Sequence, residues 1–188
     1  MKTVIFHLVI WVLLTGCAGP TASLLSKEFD YRLTHNGSFI FFRGGIDFGL
    51  ADDLSALMER SPGIQGIVLD SYGGRVYAAR DAAEVISKHK LNTYAPRSCK
   101  SACTILFLAG KQRHLGEGAV FHFHRYGVIS HDIKRFKDQG VSTEFLNRLS
   151  EELKTKEWVS VSNAQAVKAR IVVEQTALEN ASAVQLAI

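Results

Sequence analysis

The sequence is poor in the features that would place it in several protein classes. Only 3 of its 188 residues are proline and only 3 are cysteine, which excludes a proline-rich disordered chain and a small scaffold stapled by many disulfides. There is no block of basic residues interleaved with aromatics, and the formal net charge is only +4. A nucleic-acid groove needs both features, so nucleic acid is not an expected partner. No Gly-Lys-Ser/Thr phosphate loop, internal repeat or low-complexity tract occurs, which argues against an ATP-driven machine within this chain. His122, His124 and His131 do not make up a tightly spaced ligand set with carboxylates or cysteines, so neither a metal nor another cofactor is expected. What is present is ordinary: 47% hydrophobic and 21% charged residues. At this length that suffices for one buried core, and a single globular domain is expected over 27–188.

The amino terminus has to be set aside before the fold is read. Lys2 is the only charge ahead of Lys27, and the apolar run Val4 to Leu14 is too short to span a bilayer comfortably. It ends in Leu14, Thr15, Gly16, Cys17, which resembles a bacterial lipoprotein signal with small residues ahead of a lipidated cysteine. The resemblance implies a signal over 1–16, lipid on Cys17, and a short tether over 17–26. Ala18 follows Cys17 where an acidic residue would favour the inner membrane. An exported protein is therefore expected, held by lipid in the cell envelope, at the periplasmic face of the outer membrane where the host has one. Each buried methylene contributes about 0.8 kcal/mol, so two or three acyl chains anchor durably while the domain stays in water.

Periodicity outlines the rest. Ser38 to Arg43 reads as a buried strand entering Gly44 and Gly45, and Leu50, Leu54, Leu57 and Met58 form one helical stripe stopped by Ser61, Pro62 and Gly63. Gly66 to Ser71 is an apolar strand that meets Tyr72, Gly73, Gly74, after which Val76, Ala79, Ala83 and Ile86 space as a helix face. A strand is expected over Leu91 to Ala95, a buried helix over Ser101 to Leu108 closed by Gly110, and a strand over Ala119 to His124 with Phe121 and Phe123 opposite His122 and His124. His131 to Trp158 is charged and helical in composition, broken at Gly140, and Asn163 to Arg170 reads as one more short helix. The alternation of strand and helix favours an α/β fold with a parallel sheet.

Three segments resemble one family. Asp70 to Gly74 resembles the Ser-Pro-Gly-Gly turn of the Clp protease proteolytic subunit, and Ser98 to Ala102 its nucleophile segment, followed by Leu108, Ala109, Gly110. Arg113 to His124 resembles the stretch that ends in its catalytic histidine. The similarity covers about residues 36–126 well and extends weakly through Ser162 to Val172. It implies the fold shared by Clp proteases, signal peptide peptidase A and crotonases, a spiral of β-β-α units. Exported Clp-like proteins with a cysteine on each side of the serine look most similar.

On this resemblance Ser101 stands in the place of the nucleophile and His124 in that of the general base, with His122 as the reserve base. A helix beginning at Ser101 would leave backbone N–H groups unpaired, so Ala102 and Gly74 are the expected oxyanion-hole donors. Ser101 taken alone is equally a helix cap. The third catalytic position falls on Trp158, beside Glu157; Glu157 is the candidate acid, Asp132 and Ser160 are alternatives, and a Ser/His dyad is a further one. On one continuous helix Cys99 and Cys103 would keep their Cβ atoms about 5–6 Å apart, too far for a disulfide. The turn implied by the resemblance takes Cys99 out of the helix, so a bridge that stiffens the nucleophile loop is expected.

These features point to a serine hydrolase, an ATP-independent peptidase acting on peptides or unfolded protein. The alternative is a non-catalytic scaffold or peptide-binding protein of the same fold in the envelope. A crotonase acting on acyl-coenzyme A ranks third, because an exported domain rarely meets that substrate. Proteins of this fold commonly pack into rings, so a homo-oligomer is expected, with the charged segment His131 to Trp158 as the packing handle.

Overall fold

A computed structural model describes residues 29–34, 37–126 and 129–172. The proposed signal, Cys17, the tether and the last residues of the chain lie outside that range. Among the described residues the elements follow in order: strand β1 (Phe29–Leu33), β2 (Phe39–Ile46), helix α1 (Leu50–Arg60), β3 (Gly66–Gly74), α2 (Val76–Lys88), β4 (Asn92–Ala95), β5 (Ser98–Lys100), α3 (Cys103–Leu108), β6 (Arg113–Leu115), β7 (Val120–His124), α4 (Ile129–Asp138), α5 (Thr143–Thr155), β8 (Trp158–Val161) and α6 (Asn163–Lys168).

The sheet runs β1-β2-β3-β5-β7-β8, with β4 paired to β3 and β6 paired to β4. Its interior pairs are parallel, whereas β1 on β2 and β8 on β7 are antiparallel. The expected parallel sheet is present, with an antiparallel strand at each end of the path. β3 is the pivot. Its first half pairs with β4 through Gly66–Val68, and its second half pairs with β5 at Ser71. The chain between β4 and β5 therefore returns to β3, and the nucleophile segment lies between β3 and β7.

Alternation decides which side of each strand meets the helices. Ile67 and Leu69 of β3, Cys99 of β5, and Phe121 and Phe123 of β7 enter the main core with Leu54, Ile86, Phe107, Phe136 and Leu149 from the helices. Full burial of each such side chain contributes about 1.5–3 kcal/mol. Val68, Phe41 and Tyr94 pack together in a separate cluster. The helical stripe of α1 lies as its spacing predicts, with Leu50, Leu54, Leu57 and Met58 all buried.

Two polar devices tie the later helices to this frame. Buried Arg113 donates to the carbonyls of Leu108, Gln139 and Arg170, gathering the ends of α3, α4 and α6 on one guanidinium. Burial without a carboxylate partner pushes it down to about 10. Asp132 in α4 takes two hydrogen bonds from Arg80 of α2, at 3.0 and 2.8 Å, and one from the Tyr126 hydroxyl at 2.7 Å.

Candidate active site

Ser101 does not begin a helix. It occupies the turn between β5 and α3 with φ of 53°, in the left-handed region that a residue with a side chain rarely adopts. The expected helix start is corrected to Cys103, and the reason is local. The Ser101 N–H is spent on the carbonyl of His122, 2.9 Å away, continuing the β5–β7 ladder, while the Ser101 carbonyl already accepts from Thr104 N–H and Thr104 Oγ1. Strand pairing on one side and helix entry on the other leave only a reversed φ between them. Cys99, the strand residue before this turn, and Cys103, the first helical residue after it, form a disulfide with a Cα–Cα distance of 5.2 Å. The bridge closes because Cys99 lies in β5 and outside the helix, and both cysteines are fully buried.

The glycine turn at the end of β3 lies against this loop. At Gly73, with φ of 102°, an added Cβ would stand 2.8 Å from the Ser101 Cβ and 2.7 Å from the Lys100 carbonyl. At Gly74 it would run into the backbone of Ile46. The residue that packs on Ser101 is therefore Gly73, while Gly74 allows β3 to press against β2. Ser71, missed in the sequence, holds this turn: its buried hydroxyl donates to the Gly44 carbonyl at 2.6 Å and accepts the Gly73 N–H at 3.1 Å. A serine two residues ahead of the glycine is the pattern of a local side-chain turn, and it was the available signal.

His124, at the end of β7, comes within 3.5 Å of the Ser101 hydroxyl through Nδ1. Its other nitrogen, Nε2, lies 3.4 Å from a carboxylate oxygen of Glu157. His122 shares the strand face, but its bond to Ser101 runs through its backbone carbonyl; burial first, and then the charge of Lys100, hold its imidazole below the usual histidine range. The structure thus puts His124 near both Ser101 and Glu157, with Ala102 beside the turn that contains Gly73 and Gly74. Asp132 is engaged by Arg80 and Tyr126, and Ser160 pairs across the ladder with His122. Neither alternative acid position serves His124.

The expected helix up to Trp158 is also corrected. α5 ends at Thr155, and Trp158 opens β8, which pairs with β7 so that Trp158 is the cross-strand partner of His124. Its ring stacks on the imidazole with centroids 4.2 Å apart and planes 29° from parallel. The alternation Trp158, Val159, Ser160, Val161 was a legible strand signal, exposed and buried by turns. Among the described residues, no group of three or more His, Cys, Asp or Glu side chains is placed to hold a metal ion.

No protein-family model matches the sequence, and no curated protein matches it. Solved structures do. ClpP1 from Listeria monocytogenes is 20% identical, with 73% of this chain and 89% of that chain covered at a TM-score of 0.56. A point mutant of that protein gives 20% identity, 73% and 90% coverage, and a TM-score of 0.51. A putative enoyl-CoA hydratase from Streptomyces coelicolor A3(2) is 15% identical, with 94% of this chain and 77% of that chain covered at a TM-score of 0.56. The chain therefore has the Clp-protease/crotonase fold, an α/β spiral in which strands and packed helices alternate.

Proposed function

We propose that the chain is a serine hydrolase, an ATP-independent peptidase of the cell envelope acting on peptides or unfolded protein. The observation that carries this reading is the approach of the Ser101 hydroxyl to His124 Nδ1 at 3.5 Å, with the serine held at positive φ on the rim of a glycine turn. A serine raised on a strained turn is reachable by substrate, and an imidazole beside it supplies the base an alcohol needs near neutral pH.

The chemistry then follows atom by atom. His124 in the Nε2–H tautomer takes the hydroxyl proton on Nδ1 as Ser101 Oγ bonds to the scissile carbonyl carbon, and the carbonyl π electrons move onto oxygen. Ser101 N–H is committed to His122 and Gly73 N–H to Ser71, and Ala102 N–H with Gly74 N–H are the proposed donors to the oxyanion. Loss of one such donor costs about 10²–10³ in rate. Collapse breaks the C–N bond and the amine leaves with the proton from His124. Water, deprotonated by the same nitrogen, then attacks the acyl carbon, the bond to Ser101 Oγ breaks, the acid product leaves, and His124 returns the proton to Ser101. Lipid on Cys17 would hold this domain at the membrane, and a homo-oligomer would limit entry to flexible chains.

Fluorophosphonate labelling tests the reading. Wild-type protein is expected to label and Ser101→Ala not to; folded wild-type protein that fails to label removes the hydrolase claim. One observation favours a second reading, a non-catalytic scaffold of the same fold. Glu157, the carboxylate facing His124, is 68% exposed, and a solvated carboxylate orients an imidazole weakly. On that reading Ser101→Ala leaves the cellular phenotype intact, while charge reversals on α4 and α5 abolish it.

A further inference from the structure

We infer that Trp158 is a positioning residue for His124, its indole face doing for the imidazole what an orienting carboxylate does in a Ser-His-Asp site; this rests on the hydrolase reading above. The geometry makes the case. Trp158 is the direct cross-strand partner of His124, and the rings stack at 4.2 Å with 29° between planes. The same indole meets His122 edge-on at 6.4 Å. Trp158 thereby closes off one face of the His124 ring and limits its rotation, which keeps Nδ1 turned toward Ser101.

The charged neighbours leave this role open. On the His124 side of the site stand Glu157 at the head of β8, 68% exposed, and His122 on the same strand face, itself beside Lys100 of β5. Arg125 directs its guanidinium to the Lys154 carbonyl. Asp132, the buried carboxylate of this region, is occupied by Arg80 and Tyr126. No desolvated carboxylate faces His124 among the described residues, and the group lying flat on its ring is aromatic. An indole face attracts a cation through its quadrupole, so it favours the imidazolium formed when Ser101 gives up its proton. Contact with a half-exposed ring is worth about three- to tenfold in rate.

Two readouts on the full chain decide it. An imidazole stacked on an indole perturbs its emission, so His124→Gln should change the intrinsic fluorescence of the folded protein. Trp158→Phe removes the reporter and shows what Trp11 contributes. In fluorophosphonate kinetics, Trp158→Leu should slow labelling three- to tenfold, more than Glu157→Gln does, and Trp158→Phe should retain most of the wild-type rate. A larger loss for Glu157→Gln than for Trp158→Leu overturns the inference, as does equal loss in the leucine and phenylalanine variants. Wild-type protein that never labels overturns both the hydrolase reading and the positioning role. An intrinsic fluorescence unaffected by His124→Gln overturns the indole contact alone, so the two failures are told apart.

Discussion

At Gly73 the local backbone and the candidate site meet. With φ of 102°, and a would-be Cβ within 3 Å of both the Lys100 carbonyl and the Ser101 Cβ, the position has no room for alanine. Gly73→Ala should cost about 1–3 kcal/mol in backbone strain alone, and it should push Ser101 away from His124. Fluorophosphonate labelling should fall more steeply than the urea midpoint. Arg113 makes the opposite kind of case, a residue that matters through what it satisfies. Arg113→Met strips hydrogen bonds from three carbonyls that sit at three helix ends, and the expected loss is about 3 kcal/mol or more by chemical denaturation. Arg113→Lys should recover only a minor part, because one ammonium cannot repeat the fork of the guanidinium.

At the scale of elements, the β5 turn and α3 act as a unit because the Cys99–Cys103 disulfide joins the strand before Ser101 to the helix after it. The closed loop is short, so the bridge contributes only about 2 kcal/mol by the chain-entropy argument. Its larger effect falls on the Ser101 conformation. Replacement of both cysteines by alanine should lower stability by about that amount, measured by urea titration, and should slow labelling of the protein that remains folded. Unchanged labelling would show that the ladder bond to His122 and the glycine turn hold the serine by themselves. β8 is the other decisive element: its antiparallel pairing with β7 brings Glu157 and Trp158 to His124.

For the molecule as a whole, burial writes a pH dependence into stability. Burial lowers His114, and burial followed by the Lys100 charge lowers His122. Below about pH 6.5 the unfolded chain therefore takes up protons that the folded chain resists, and stability falls as the pH drops. Tyr126 is raised by burial and by its bond to Asp132, and Tyr94 by burial. Their contribution is complete below about pH 10, where the free phenol titrates, and is lost as pH rises above it. Urea midpoints should thus fall on both sides of a plateau near pH 7–9. Tyr126→Phe, although it gives up a hydrogen bond, should flatten the alkaline side. The proposed membrane attachment also concerns the whole chain: if Cys17 carries lipid, Cys17→Ser should abolish incorporation of labelled palmitate and move the protein from the membrane to the soluble fraction.

Local pattern carried much of this. The stripe of α1, the alternation of β7 and the capping residue of α6, Ser162, can each be read from neighbours in sequence, because side-chain period and cap chemistry act over a few residues. So could the short strand, turn and helix around the glycines. The short strands β5 and β6 gave no such signal, since three residues hold too little periodicity, and their conformation comes from pairing with distant β7 and β4. Trp158 and Glu157 belonged in composition to a charged helix, yet ladder bonds to β7 draw Trp158 into a strand and leave Glu157 just ahead of it. The sequence by itself determined which residues could do chemistry and which side of each longer element is apolar. Which histidine nitrogen faces the serine, which carboxylate is already taken, and the reversed φ at Ser101 were decided only when separate strands met, because each depends on hydrogen bonds between residues far apart in the chain.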